Sequence, residues 1–180
     1  MNLPPRGPDQ ARIGIAIAVP EPYARRLQDA RAAVGDPLAE AIPPHITVVG
    51  PTVVDDSVLP AVAEHLEKVA GELAPFRVHL RGTATFRPIS PVVFVSLVEG
   101  IGECELLEEL ARSGVLAQEL RFNYHPHVTV AHDVPDPALD HAFDTMSDFE
   151  AVFEVDAFWM YEHGDDGVWR QERSFELRGA

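Results

Sequence analysis

Two tripeptides of one type, His45-Ile46-Thr47 and His127-Val128-Thr129, are the residues of this 180-residue chain best suited to chemistry. In each, the His and the Thr are two residues apart, and in a β-strand residues i and i+2 project from the same face. Each tripeptide therefore offers an imidazole beside a hydroxyl, while Ile46, Val48, Val128 and Val130 turn the other way into a core. An imidazole titrates near pH 6.5, so of two such rings one can be neutral and take a proton while the other is charged and gives one. A threonine hydroxyl can donate to the non-bridging oxygens of a phosphate, where charge builds in the transition state. Two imidazoles and two hydroxyls around one small volume could break a P–O bond without a metal, each positioned proton transfer contributing a factor of ~10²–10⁴.

A single His in a strand is usually structural, and Thr is common in strands because it is β-branched. The pairing is what raises the signal. A proline, Pro44 or Pro126, stands directly before each His, and a valine, Val48 or Val130, directly follows each Thr.

The elements that carry these residues also recur. An apolar run at 12–19 predicts a strand, and Tyr23, Leu27, Ala30 and Val34 repeat at helical spacing. Residues 45–49 form a second predicted strand, stopped by Gly50-Pro51. Asp55-Asp56-Ser57 opens a helix carrying Val58, Val62, Leu66, Val69 and Leu73. Residues 76–86 alternate strictly, with Phe76, Val78, Leu80, Ala84 and Phe86 on one face and Arg77, His79, Arg81, Thr83 and Thr85 on the other. The order then restarts with a strand at 92–98, a helix at 101–117, a strand at 124–131 and a helix after Asp136-Pro137. Two strands, at about 149–161 and 168–177, finish the chain. The two histidines fall 33 and 35 residues after the start of their respective opening strands, at residues 12 and 92. A repeat of this kind predicts an α+β fold of two pseudo-symmetric lobes around a central cleft, each an antiparallel sheet with helices on its outer face. Residues 1–11 read as a flexible tail and 12–180 as a single bilobal domain.

Composition narrows the partners. A net charge of −15 disfavours extensive nucleic-acid binding, although a few local donors can hold one phosphate inside an acidic protein. The single cysteine, Cys104, excludes an intramolecular disulfide, and with Glu103 and Glu105 beside it reads as a bystander thiol. Residues 1–6 hold no apolar leader-like stretch and no run is long enough to span a bilayer, so the expectation is a cytoplasmic protein, with a monomer as the default. Zinc is disfavoured, since there is no His-Glu-x-x-His spacing and each tripeptide offers one ligand.

The paired motifs and the duplicated order resemble the 2H phosphoesterase superfamily, which includes 2′-5′ RNA ligase-like proteins and RNA 2′,3′-cyclic phosphodiesterases. The resemblance spans about residues 12–177. It implies His45 and His127 as the acid/base pair, Thr47 and Thr129 as phosphate-binding hydroxyls, no metal and no cofactor. The implied substrate is a small nucleotide or short RNA end bearing a 2′,3′-cyclic phosphate. Ligation in the reverse direction and a non-catalytic nucleotide-binding module are the alternatives. Secondary candidates for the cleft are Arg77, His79, Arg81, Tyr124 and His125, with Phe122 and Trp159 available to stack on a base. His132 is assigned to the opposite strand face, His65 to the surface and His163 to a turn without a partner.

Overall fold

The alternating run Ala11, Ile13, Ile15, Ile17 becomes an inner strand. In the computed structural model, which describes residues 3–180, β1 (Gln10–Ala18) lies between β2 (His45–Asp55) and β7 (Ala157–His163). With β8 (Trp169–Glu176) they form an antiparallel sheet in the order β2-β1-β7-β8. The second antiparallel sheet has the order β5-β4-β3-β6, from β3 (Phe76–Thr85), β4 (Val92–Glu99), β5 (His127–His132) and β6 (Glu150–Val155). Four helices cover the sheets: α1 (Tyr23–Ala33), α2 (Leu59–Glu72), α3 (Ile101–Ala111) and α4 (Asp136–Thr145). The fold is α+β, as the repeated order implied.

The two passes of the chain do not each make a lobe. β3 closes the first pass yet pairs with β4 in the second sheet, and the expected long strand at 149–161 breaks at Asp156 so that β6 and β7 enter different sheets. The helices interleave as well, α1 packing on β5 and α3 on β2. The result is one apolar core, in which Ile13, Leu66, Leu80, Leu107, Phe158 and Phe175 are at most 1% exposed. Cys104 lies in that core, and burial with the charges of Glu103 and Glu105 pushes its thiol up to about 12. It is an inert bystander.

Several boundaries differ from expectation for local reasons. β2 continues through Gly50-Pro51 to Asp55, because it is an edge strand and the register shifts opposite Ile13–Ile15. A proline, which cannot donate to the ladder, is tolerated at such a bulge. β5 starts only after Pro126. α3 ends at Ala111, where the Ser113 amide and hydroxyl both donate to the Leu110 carbonyl. At Gly82 a positive φ of 69° accompanies an extra residue in β3, with Leu80 opposite Leu97 but Thr83 opposite Val95. This reverses the alternation. Thr83 turns to α4, donating to the Phe143 carbonyl at 2.8 Å, and Phe86 comes to the side where His127 lies.

Two histidines change role. His65 is half-buried with Nε2 3.2 Å from the Ala111 carbonyl, and His163 is buried with Nδ1 accepting from Arg12 Nη1 at 2.9 Å. The β1–β7 register, with Ile13 opposite Glu162, brings those last two side chains together. Before β1, Leu3 packs against the Ala16–Ile42–Tyr161–Trp169 cluster and the Pro4 carbonyl accepts from Arg12 Nε at 2.9 Å.

Gly100 links β4 to α3 at φ 88°, and a Cβ there would sit 2.7 Å from the Arg77 carbonyl oxygen. Left-handed backbone costs a non-glycine residue ~1–2 kcal/mol, and backbone cannot move aside cheaply. Gly100→Ala is expected to cost about 2 kcal/mol or more in urea unfolding. A variant as stable as the parent would mean the turn relaxes into another conformation.

Candidate active site

β2 and β5 are both edge strands, and they come together across a cleft of about 590 Å³, a volume suited to a nucleotide-sized molecule. His45 and Thr47 enter it from β2, His127 and Thr129 from β5, and all four line its wall. Ile46 and Val128, between them, are fully buried on the other face and lock each strand's orientation.

Both rings are anchored alike. Nδ1 of His45 lies 2.7 Å from the Pro43 carbonyl oxygen, and Nδ1 of His127 lies 2.7 Å from that of His125. A carbonyl only accepts, so Nδ1 carries the proton in both rings and Nε2 is the available nitrogen. Each accepting residue precedes a proline and is thereby confined to extended backbone, which fixes where its carbonyl points. Pro44 and Pro126 thus help orient the imidazoles. The Thr47 hydroxyl donates to His45 Nε2 at 3.1 Å.

Burial depresses both pKa values. Phe86 and Phe94 each approach the His127 ring to 5.0 Å, and desolvation carries it down to about 4, the charges of His125, His45 and His132 adding and the His125 carbonyl opposing. His45 is lowered first by burial and further by Arg31, against the Pro43 carbonyl. Both rings are therefore neutral at pH 7 in the free protein, with Nε2 as the basic nitrogen: free in His127 and accepting from the Thr47 hydroxyl in His45.

Of the other sequence candidates, Tyr124 and His125 line the cleft. The Tyr124 hydroxyl donates to the Thr47 carbonyl at 2.9 Å, tying the loop before β5 to β2, and burial raises its own pKa. Arg77, His79 and Arg81 lie outside the cleft wall. Arg77 is paired with Glu99 at 3.5 Å and His79 with Glu150 at 2.7 Å, while Arg81 is exposed. Their strand continues past the Gly82 bulge, and only beyond it does a side chain, that of Phe86, reach the histidines. Phe122 lies on the cleft rim, 60% exposed, whereas Trp159 packs beside Tyr161 and Trp169. His132, assigned to the other face, also lines the cleft, because a register shift between Val93 and Phe94 gives β5 one extra residue.

Arg31 is a cleft residue that the sequence patterns did not single out. It stands one helical turn after the buried Leu27, on the inward face of α1, and that spacing was its signal. It lines the cleft with its side chain 6% exposed. Although the chain holds 29 Asp and Glu, none of the described residues that line the cleft carries a carboxylate. Its permanent charges, Arg31 and Arg121, are both positive, so the cavity is suited to an anion. Beside His45 a smaller apolar recess of about 60 Å³ is lined by residues including Ile42, Tyr161 and Trp169. Among the described residues, no cluster of three or more His, Cys, Asp or Glu is arranged to hold a metal, and no helix is long and apolar enough to cross a membrane.

Known proteins share this architecture. E. coli LigT in complex with 3′-AMP superposes with a TM-score of 0.68 at 17% identity, over 93% of this chain and 98% of that one. TT0787 of Thermus thermophilus gives 0.61 at 23%, with the same coverage. A Bacillus mycoides (strain KBAB4) protein named "Putative phosphoesterase" is 29% identical over 146 residues, covering 79% of this chain and 83% of its own length. The model of the 2′-5′ RNA ligase superfamily matches residues 19–167, most of the chain and both His-x-Thr strands, and the protein belongs to that superfamily.

Proposed function

We propose that the protein is a phosphodiesterase that opens a 2′,3′-cyclic phosphate on a nucleotide or short RNA end by two-histidine acid/base catalysis. The observation that carries this reading is the convergence of two equivalent His–Thr pairs, both with Nδ1 anchored to a main-chain carbonyl, in a cleft with no carboxylate among the described residues that line it. LigT of E. coli, whose fold this chain shares, was crystallised with phosphate and with 3′-AMP, and the Bacillus relatives carry the name of phosphoesterases.

In the proposed step a water oxygen forms a bond to phosphorus as the bond to one ester oxygen breaks. The neutral histidine takes the water's proton on Nε2, and the protonated one gives its Nε2 proton to the departing alkoxide. The Thr47 and Thr129 hydroxyls donate to the non-bridging oxygens. Acid, base and donors are all side chains, so the step calls on no metal. The bound phosphate supplies the negative charge that lifts one histidine from its depressed pKa and protonates it.

That coupling has a measurable sign. In the free protein both histidines lose their protons below a pH of about 6.5, the ordinary imidazole value, so the singly protonated form declines as pH rises through neutrality. The optimum of kcat/KM is expected on the acid side of about pH 6.5, and that of kcat, which reports the complex, at higher pH. A panel of nucleoside 2′,3′-cyclic phosphates and cyclic-phosphate-ended oligoribonucleotides, assayed in EDTA across the acid-to-alkaline range, tests both points. Absence of turnover across the panel, or turnover that EDTA abolishes, would defeat the reading.

A further inference from the structure

The cleft contains a buried cation that the proposed reaction does not use. Arg31 projects from α1 and is held by Asp36, whose side chain is wholly buried. Asp36 Oδ2 accepts from Arg31 Nε at 2.6 Å and from the His132 amide at 3.1 Å, and Oδ1 accepts from the Leu38 amide at 2.8 Å. Burying a guanidinium is costly unless it is paired, and this pairing occupies only one of its five N–H donors. Among the described residues its two Nη groups make no hydrogen bond to the protein, yet no side-chain nitrogen is buried without a partner. The Nη groups therefore open onto the cleft whose wall Arg31 forms. A rigid guanidinium fixed through Nε, with Nη donors facing a cavity, is preorganised for an oxyanion.

Arg31 enters the cleft from α1, whereas the two His–Thr pairs stand on β2 and β5, and its charge reaches His45. The Asp36 anchor is bonded to the main chain of His132, five residues beyond His127 on β5. The His132 ring also lines the cleft; its Nε2 lies 3.2 Å from Asp133 Oδ2, and burial lowers its pKa against the charges of Asp133 and Asp36. Arg121, stacked on Phe122 at 5.2 Å, also lines the cleft.

We propose that Arg31, fixed by Asp36, forms a second anion subsite in the cleft, taking a phosphate-class group of the substrate distinct from the scissile one. The inference rests on the reading that the scissile phosphate lies between His45 and His127. It deepens that reading by stating the substrate class: a small molecule carrying two anionic groups separated by a body such as a nucleoside.

Calorimetric titration of the full chain with a nucleoside 3′-monophosphate and the corresponding 3′,5′-bisphosphate, at one ionic strength, tests it. The bisphosphate is expected to bind about tenfold tighter or more, in line with two charge-assisted hydrogen bonds. Arg31→Gln and Arg31→Lys are expected to abolish that advantage. Arg31→Gln can also disturb the fold by stranding Asp36. Arg31→Lys keeps the charge beside Asp36 and loses the fork, and thermal melting of both identifies a folded variant. Equal affinities in the parent protein, or an advantage that survives in a folded Arg31→Lys, would overturn the subsite while leaving the cyclic phosphodiesterase reading intact. A bisphosphate advantage that depends on Arg31, in a protein inactive on every cyclic phosphate, would sustain the subsite and remove that reading. Failure to bind either ligand would overturn both.

Discussion

His127→Ala is expected to lower kcat on a 2′,3′-cyclic phosphate by about 10²–10⁴, with the fold intact. His127 Nε2 is the free nitrogen of a ring whose orientation is fixed by the His125 carbonyl and by two phenylalanines, so it is already in place for proton transfer. His45→Ala should cost a comparable factor. The double variant should be little worse than either single one, because residues acting as a unit in one step are not additive. Single-turnover rates with purified variants decide this, and a His127→Ala protein within about tenfold of the parent would remove the two-histidine mechanism. The same ring has a consequence for stability. Its folded pKa, about 4, lies below the unfolded value near 6.5, so the unfolded chain binds the proton more readily. Its contribution is fully present above about pH 6.5 and is lost as pH falls toward about 4, and in His127→Ala that part of the acid destabilisation should vanish.

Asp36→Ala is expected to be the most damaging single change to stability, costing roughly 3–5 kcal/mol, because it strands a guanidinium whose side chain is only 6% exposed. It also leaves the His132 and Leu38 amides without their acceptor. Asp36 is a bolt between α1 and β5, and so between the first pass of the chain and the second sheet. Urea unfolding of Asp36→Ala, Arg31→Ala and the double variant measures the coupling. The double should cost clearly less than the sum of the singles, since removing both charges leaves none stranded. An Asp36→Ala protein within about 1 kcal/mol of the parent would show that solvent reaches this pair and that Arg31 is not held as described.

The repeat, the α+β class and the superfamily were all legible in the amino-acid order, because each rests on short-range regularities. Period-2 and period-3.6 patterns say which face of an element is apolar, and a His two residues before a Thr puts both on one strand face whatever that strand pairs with. Cys104 was legible as a bystander for the same reason, since its acidic neighbours Glu103 and Glu105 are a local fact. How the two passes interleave emerged only in three dimensions. Nothing in residues 149–163 says that β6 joins β3 while β7, one residue later, joins β1, because strand partners are chosen by the packing of the whole core. Bulges settled the orientation of later residues: one residue more in β3 at Gly82 and in β5 before His132 reverses every side chain that follows. That is why Phe86 and His132 face the cleft against the alternation read from sequence, while Arg77, His79 and Arg81 do not line it. Arg31 was the least legible. A cation on an apolar helix face has meaning only once Asp36, five residues on in the chain and bonded to the second sheet, is seen to hold it there.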